Sequence, residues 1–210
     1  MEVSKAIKER RSIRSYYSRP ITPTQVNEVL DAGRYAPSAG NVQDFRFIIV
    51  RNEESKKAMA DLTGQAWMKQ APVHIIVCSD VKKVKRLHGK LGEEKYCLQN
   101  TAACVQNMLL KAHAMGLGTC WVDPIDESEV KEQFKIKEGI RPVVIITLGY
   151  PKSEKKEAKR DDLDTLVHYE EWDKRTRPDI GKIPVEKPLK ESMKKLKDML
   201  KYSREKIENR

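Results

Sequence analysis

The sequence lacks the long hydrophobic stretches of a membrane protein, because no run of about 18 or more apolar residues occurs anywhere in it. Residues 1–14 are rich in charge, so they do not have the apolar centre of a secretory signal. Together these two features predict a cytoplasmic protein with no membrane segment.

Cysteine and histidine are scarce, with four of each among 210 residues. The cysteines form no CxxC pair, and no histidine follows them at a zinc-ligand spacing. We therefore expect no metal site. Apolar neighbours surround the thiols and predict buried, reduced cysteines in a reducing compartment; the residues are Cys78, Cys97, Cys104 and Cys120.

Aromatic residues make up only 6% of the chain, and they are not interleaved with its basic runs. The net charge of +10 raises the possibility of a nucleic-acid-binding protein. Single-strand binders combine basic grooves with stacking aromatics, so this composition argues against nucleic acid as a partner. Most of the charge is mixed Lys and Glu, which is typical of a solvated surface.

Hydrophobic spacing and capping residues predict alternating helices and strands in a single catalytic domain. Thr22, Pro23 and Gln25 form the start of one helix, with a capping box and a proline in its first turn. The predicted helices cover residues 2–10, 23–35, 53–63, 98–115 and 127–134, and the strands cover 45–50, 73–78, 119–122 and 142–148. This pattern indicates an α/β or α+β sandwich whose sheet is covered on both faces, with a strand order that stays open.

Three guanidinium groups occur within five residues at the end of the first predicted helix: Arg10, Arg11 and Arg14. Mutually repelling cations so close together are stabilised by an anion or by solvent, and Arg matches phosphate oxygens with paired donors. The segment alone is compatible with a phosphate site and equally with a solvated basic patch.

The chain contains a series of further motifs in order behind this basic segment. The series is RRSIRSY (10–16), APSAGNVQDFRFIIV (36–50), GQAWMKQAP (64–72), AHAMGLGTCWV (112–122), LGYP (148–151) and KRDDLDTLVHYEEW (159–172). From about residue 1 to 175 it resembles the nitroreductase family of FMN flavoproteins. The resemblance implies a three-layer sandwich, with a central, mostly antiparallel sheet flanked by helices, in an intertwined homodimer. Residues 1–178 would form the FMN-binding domain.

The resemblance also implies which residues hold the flavin. Arg10, Arg11 and Arg14 would bind the phosphate and ribityl chain, Ser12 would reach the pyrimidine edge of the ring, and Arg160 would add a phosphate contact. The loop that crosses from the second subunit would supply Pro37, Ser38, Asn41 and Gln43. Gln65 would hydrogen-bond the ring edge. A main-chain N–H of Val122 or Asp123 would face the flavin N5.

The activity implied is hydride transfer from NADH or NADPH through bound FMN to a small acceptor such as a nitroaromatic, a quinone or another flavin. The flavin carries the electrons, so no nucleophile or dedicated general acid is required. Gly116 and Gly118 lack the third glycine of a dinucleotide fingerprint and follow a helix, so a Rossmann site is not expected. The alternatives are a flavin-fragmenting or dehalogenating member of the same superfamily, for which the basic stretch 81–96 could cover the pocket, and a nucleic-acid-binding protein.

The composition changes after Asp179, where Pro184 and Pro188 mark a linker. Apolar residues then recur at alternating spacings of four and three from Leu189 to Ile207 and predict an amphipathic helix with a narrow seam. This segment, residues 179–210, would dock on its own dimer or on a separate partner.

Overall fold

The computed structural model describes residues 1–153 and 158–175, which belong to two units, Met1–Glu157 and Ala158–Arg210. The larger unit contains the sheet and most of the helices. The predicted boundary after residue 178 and the predicted tail helix lie outside the described residues, so both stay predictions.

The helices of the described chain are α1 (Val3–Glu9), α2 (Pro23–Arg34), α3 (Glu53–Leu62), α4 (Val81–Leu91), α5 (Cys97–Ala114), α6 (Glu127–Gln133) and α7 (Leu163–Leu166). The strands are β1 (Tyr16–Tyr17), β2 (Phe45–Val50), β3 (Val73–Asp80), β4 (Gly118–Val122) and β5 (Ile140–Pro151). Short 3-10 turns at Ala39–Asn41 and Ala66–Gln70 and a π turn at Gly92–Tyr96 complete the pattern.

The central strands run in the order β2, β3, β5, β4, and β1 pairs with the last two residues of β5. All of these pairings are antiparallel. A single isolated parallel bridge, between Ser12 and Thr119, attaches the basic segment to the outer edge of β4. The predicted mostly antiparallel sheet is therefore confirmed.

Both faces of the sheet are covered, because β3 and β5 are apolar on their two alternating sides. On one face, Val73, Ile75 and Val77 pack with buried residues of α2 and α5. On the other face, Ile76 and Cys78 pack with buried residues of α3 and α6. The three-layer sandwich implied by the sequence is confirmed.

The predicted caps form as hydrogen bonds. Thr22 Oγ1 accepts from Gln25 N at 3.2 Å, and Gln25 Oε1 accepts from Thr22 N at 3.0 Å, which completes the capping box of α2. Asp126 Oδ1 accepts from Ser128 N at 2.7 Å and caps α6. The four cysteines are buried and free, as predicted, and burial raises the pKa of Cys78 and Cys104 to about 12.

Some parts of the fold were not predicted from the sequence, among them β1. The basic stretch after β3 forms α4 and the π turn, which lead into α5. The last strand is longer than predicted: β5 begins at Ile140 and ends at Pro151, where it pairs with β1. No helix among the described residues combines the length and the apolar character needed to cross a bilayer.

Candidate active site

The basic segment is fixed to the edge of β4 immediately after α1 ends. Ile13 N donates to Thr119 O at 2.8 Å, and the Ile13 side chain is buried against Tyr16 and Ala71. A Cβ atom on Gly118 would lie 2.9 Å from Ile13 Cγ1, so the glycine lets the two backbones approach closely. The segment is therefore part of the sheet, although Arg14 itself is exposed.

The buried side chain of Tyr16 also binds the basic segment. Its hydroxyl donates to Ile13 O at 2.6 Å and lies 2.7 Å from Thr147 Oγ1. Because a carbonyl can only accept, the tyrosine proton points to Ile13 and the Thr147 hydroxyl donates to Tyr16. Burial raises the pKa of Tyr16, so this hydroxyl stays a donor at neutral pH.

A cleft of about 420 Å³ opens beside the arginines, between the ends of α1 and α5. Arg10, Arg11 and His113 line it together with Gly116 and Gly118. His113 Nε2 is buried and has no hydrogen-bond partner among the described residues. Burial lowers the pKa of His113; Glu9 opposes this shift, and the charges of Arg10 and Arg11 add to it. Two guanidinium groups and an unused ring nitrogen form a donor set that fits a phosphate.

The structure brings Gln65 into the same region as Arg14. The Arg14 guanidinium carbon lies 5.8 Å from the centroid of the Trp67 ring, and Trp67 Nε1 donates to Gln65 Oε1 at 2.5 Å. The turn that contains Gln65 and Trp67 follows α3 and is anchored by His74, whose Nε2 donates to Met68 O at 2.9 Å.

Val122 and Asp123 follow on the same edge of the sheet, at the end of β4. Val122 is buried, and Asp123 is exposed with its Oδ1 accepting from Trp121 Nε1 at 2.8 Å. A Cβ atom on Gly64 would lie 3.7 Å from Ile125 Cδ1, so the turn after β4 lies next to the Gln65 segment. The basic segment, Gln65 and the end of β4 thus form one continuous region.

Cys120 lies beneath this region. Burial raises the pKa of its thiol, and the Arg14 charge, a hydrogen bond with Ser12 and the Arg10 charge partly oppose that shift. The Ser12 side chain is therefore next to the Cys120 thiol on the inner side of the site.

The loop of residues 37–43 is not part of this region. It precedes Phe45, which pairs with Ser79 near the carboxyl end of β3. Thr119, which binds the basic segment, pairs with Leu148 of β5, and Leu148 pairs with Val73 at the amino end of β3. Phe45 and Thr119 are therefore separated by about 20 Å along the strand direction and by about 14 Å across the sheet. Within one chain the loop and the basic segment therefore lie at opposite corners of the sheet. The loop residues predicted to bind the flavin are Pro37, Ser38, Asn41 and Gln43.

Arg160 belongs to the second unit and is exposed there. Its Nη1 donates to Lys159 O at 3.3 Å. In the same unit the rings of His168 and Trp172 are stacked with centroids 4.2 Å apart. The predicted phosphate contact of Arg160 stays a prediction.

Four residues of the region were not predicted from the sequence: Tyr16, Trp67, His113 and Thr119. Each lies within a quoted motif: Tyr16 in RRSIRSY, Trp67 in GQAWMKQAP, and the other two in AHAMGLGTCWV. Their position inside these motifs was the available signal, and only the tertiary contacts give each one a role.

Comparison with known proteins agrees with this geometry. The family model described as Nitroreductase family matches residues 7–67 and 59–150. A protein of Methanothermobacter thermautotrophicus, provisionally named NADH dehydrogenase/NAD(P)H nitroreductase, is 35% identical over 178 residues, which cover 82% of this chain and 88% of that protein. The FMN reductase [NAD(P)H] of Bacillus subtilis is 26% identical over 81% of this chain and 74% of its own length.

A solved structure from Clostridium acetobutylicum, provisionally named an NADH oxidase, is 31% identical and superimposes with a TM-score of 0.70. The match covers 80% of this chain and 99% of that one. The profile match, the sequence identity and the shared fold agree: the chain belongs to the nitroreductase family.

Proposed function

We propose that the protein is an FMN-dependent oxidoreductase that takes hydride from NADH or NADPH and reduces a small acceptor such as a nitroaromatic, a quinone or a free flavin. The observation that carries the proposal is the cleft lined by the Arg10 and Arg11 cations and by His113, beside the cluster of Arg14, Trp67 and Gln65. Relatives named FMN reductase and NAD(P)H nitroreductase support it.

The chain's own residues have distinct tasks in this proposal. When bound, FMN supplies the two-electron carrier between the reductant and the acceptor. Arg10, Arg11 and Arg14 hold its phosphate and ribityl chain, with Arg160 as a further phosphate contact. Ser12 and Gln65 orient the ring through its polar edges, and a main-chain N–H of Val122 or Asp123 faces N5.

The site is completed by a second copy of the chain in a homodimer. The loop 37–43 lies too far from the basic segment to reach it within one chain, so its contact with the flavin requires a partner. Apolar side chains exposed around this loop suit a subunit interface; they include Tyr35 before the loop, Leu87 and Leu91 on α4, and Leu98 on α5. The buried free thiols support a reducing compartment such as the cytoplasm.

The test is flavin binding by wild type and by the Arg14→Ala variant. A charge-assisted hydrogen bond contributes roughly 1.5–3 kcal/mol, so the variant should bind FMN roughly 10- to 100-fold more weakly by fluorescence titration. Arg19→Ala is the matched control, because Arg19 is also exposed and lies 4.2 Å from an aromatic ring centroid, that of Tyr150. Its FMN affinity should equal that of wild type.

The wild-type protein should also oxidise NADH or NADPH when FMN and a quinone are present. A protein that takes up no FMN and oxidises neither nucleotide would contradict the proposal. Salt-sensitive retention on DNA without flavin would instead favour the nucleic-acid-binding alternative.

A further inference from the structure

A network of buried polar side chains lies at the base of the loop 37–43, far from the basic segment of its own chain. Asp44 and Ser79 are fully buried and Asn100 is 4% exposed. Asn100 Nδ2 donates to Asp44 Oδ1 at 2.8 Å, and the Ser79 hydroxyl donates to the other carboxylate oxygen of Asp44. Polar groups buried this deeply are retained only when each has a partner, so the three side chains form a fixed arrangement.

The network reaches the loop directly through Asn100. The Asn100 Oδ1 atom accepts from Ala39 N at 3.0 Å, so one amide side chain joins the buried carboxylate to the loop backbone. From α4, His88 Nε2 donates to Ala39 O at 3.3 Å and Lys83 Nζ donates to Gln43 O at 3.3 Å. The loop backbone is thus held at both of its ends.

The loop needs such support because its backbone is strained. Asn41 and Gln43 have φ values of 53° and 47°, in the left-handed region that side chains other than glycine rarely adopt. This conformation is unfavourable for a residue with a side chain, and it persists only where the surrounding structure holds it. Both are among the residues predicted to contact flavin.

We propose that Asp44, Ser79 and Asn100 are positioning residues that act in trans: they hold the loop 37–43 in the shape that completes the flavin site of the second copy. The inference rests on the proposed function and its dimer. The network lies beneath the loop, and the loop lies at the opposite corner of the sheet from Ser12 and Arg14. The site it serves is therefore the partner's.

The first experiment compares Asn100→Ala with Asn107→Ala. Asn107 is on the same helix, and its Nδ2 donates to Ala32 O at 3.3 Å rather than to the loop. N100A removes the partner of Ala39 N, and the homodimer should bind FMN about 10-fold more weakly than wild type. N107A should bind it normally. Equal affinities of N100A and wild type would overturn the inference.

The second experiment measures FMN binding by mixed dimers of N100A and Arg14→Ala chains, isolated through two different affinity tags. If Asn100 acts in trans, one site of the mixed dimer combines Arg14 of the N100A chain with the intact loop of the Arg14→Ala chain. The other site carries both substitutions. Titration should find one site with the wild-type dissociation constant per dimer. Two weakened sites and no wild-type site would overturn the inference, because a cis effect or general damage to the N100A chain gives that result.

Ser79→Ala provides a second variant in the same scheme if N100A does not fold. It removes one donor to Asp44 and leaves the contact between Asn100 and the loop in place, so about a 3- to 10-fold loss of FMN affinity is expected, again rescued in mixed dimers with Arg14→Ala. Failure of the proposed function is distinguishable from failure of this inference. The former appears as wild-type protein that binds no FMN, or as tagged chains that form no mixed dimer. The latter appears as N100A protein that binds FMN like wild type, or as the absence of rescue in mixed dimers.

Discussion

Several buried polar side chains in this protein each secure a main-chain carbonyl group of a segment that belongs to the site. Tyr16 donates to Ile13 O, His74 donates to Met68 O, and Lys56 Nζ donates to Ala71 O at 3.2 Å. The side chains of Thr147 and His74 are neighbours on one face of the sheet, since the two residues pair between β5 and β3. Buried side chains therefore help to determine where the segments of the candidate site lie.

His74 gives this arrangement a dependence on pH. It is fully buried, and burial lowers its pKa from 6.5 to about 4, so the ring is neutral in the folded protein at neutral pH. The unfolded chain binds a proton near pH 6.5, whereas the folded chain resists protonation until about pH 4. The contribution of His74 to the free energy of unfolding is therefore fully present above pH 6.5 and is lost as the pH falls toward 4. Between pH 7 and pH 5 the free energy of unfolding should fall by about 2 kcal/mol.

Urea unfolding at pH 7 and pH 5 measures this loss. His74→Gln is the comparison, because a glutamine amide can still donate to Met68 O and does not titrate. Wild type should lose about 2 kcal/mol more than the variant between the two pH values. An equal pH dependence of the two proteins would exclude His74 as its source.

At the scale of elements, a helix or strand can be predicted where residues close in sequence determine it, through capping hydrogen bonds or regular apolar spacing. The capping box of Thr22 and Gln25 and the apolar helix after Tyr96 are such cases. α4 was missed because its charged and apolar residues are interrupted by Gly89, which has a φ of 58° inside the helical span. β1 was missed because a two-residue strand has no periodicity and exists only by pairing with β5.

The candidate site was partly predictable for the same reason. The basic segment and Gln65 were predicted from motifs that are local in sequence, whereas the contact between Arg14 and Trp67 depends on how two distant segments fold together. The network of Asp44, Ser79 and Asn100 gave no recognisable signal, since its members come from three separate segments.

The attachment of the basic segment to the sheet can be tested through Tyr16. Tyr16→Phe leaves the buried Ile13 carbonyl and the Thr147 hydroxyl without this partner, which should lower the free energy of unfolding by about 1–3 kcal/mol. FMN affinity should fall with it, because Ser12 and Arg14 flank Ile13. Tyr17→Phe is the matched control, since the neighbouring Tyr17 is 53% exposed and should tolerate the change.

Chemical denaturation and FMN titration of the two variants provide the comparison. A Tyr16→Phe protein with the stability and flavin affinity of wild type would show that the basic segment holds its place through the β4 edge alone. A loss of stability without a loss of FMN affinity would separate the packing role of Tyr16 from its role in the site.

At the scale of the whole molecule, the topology separates the two halves of each proposed site to opposite corners of one sheet, and the chain's net charge of +10 gives the protein a positive field. In the homodimer that we propose, twofold symmetry would place the loop of each chain at the basic segment of the other, so that both sites form through one interface. The charge then acts on the reductant, because NADH and NADPH are anions.

This field predicts a salt dependence of catalysis. The kcat/KM for NADPH should fall several-fold as ionic strength rises from about 0.01 M to about 0.3 M, because the screening length shrinks from about 30 Å to below 10 Å. NADPH carries an additional phosphate, so its kcat/KM should fall more steeply than that of NADH. The kcat/KM for an uncharged quinone, measured with saturating reductant, should stay constant and serves as the control. If kcat/KM for both nucleotides were independent of salt, the excess positive charge would lie away from the path by which the reductant approaches the flavin.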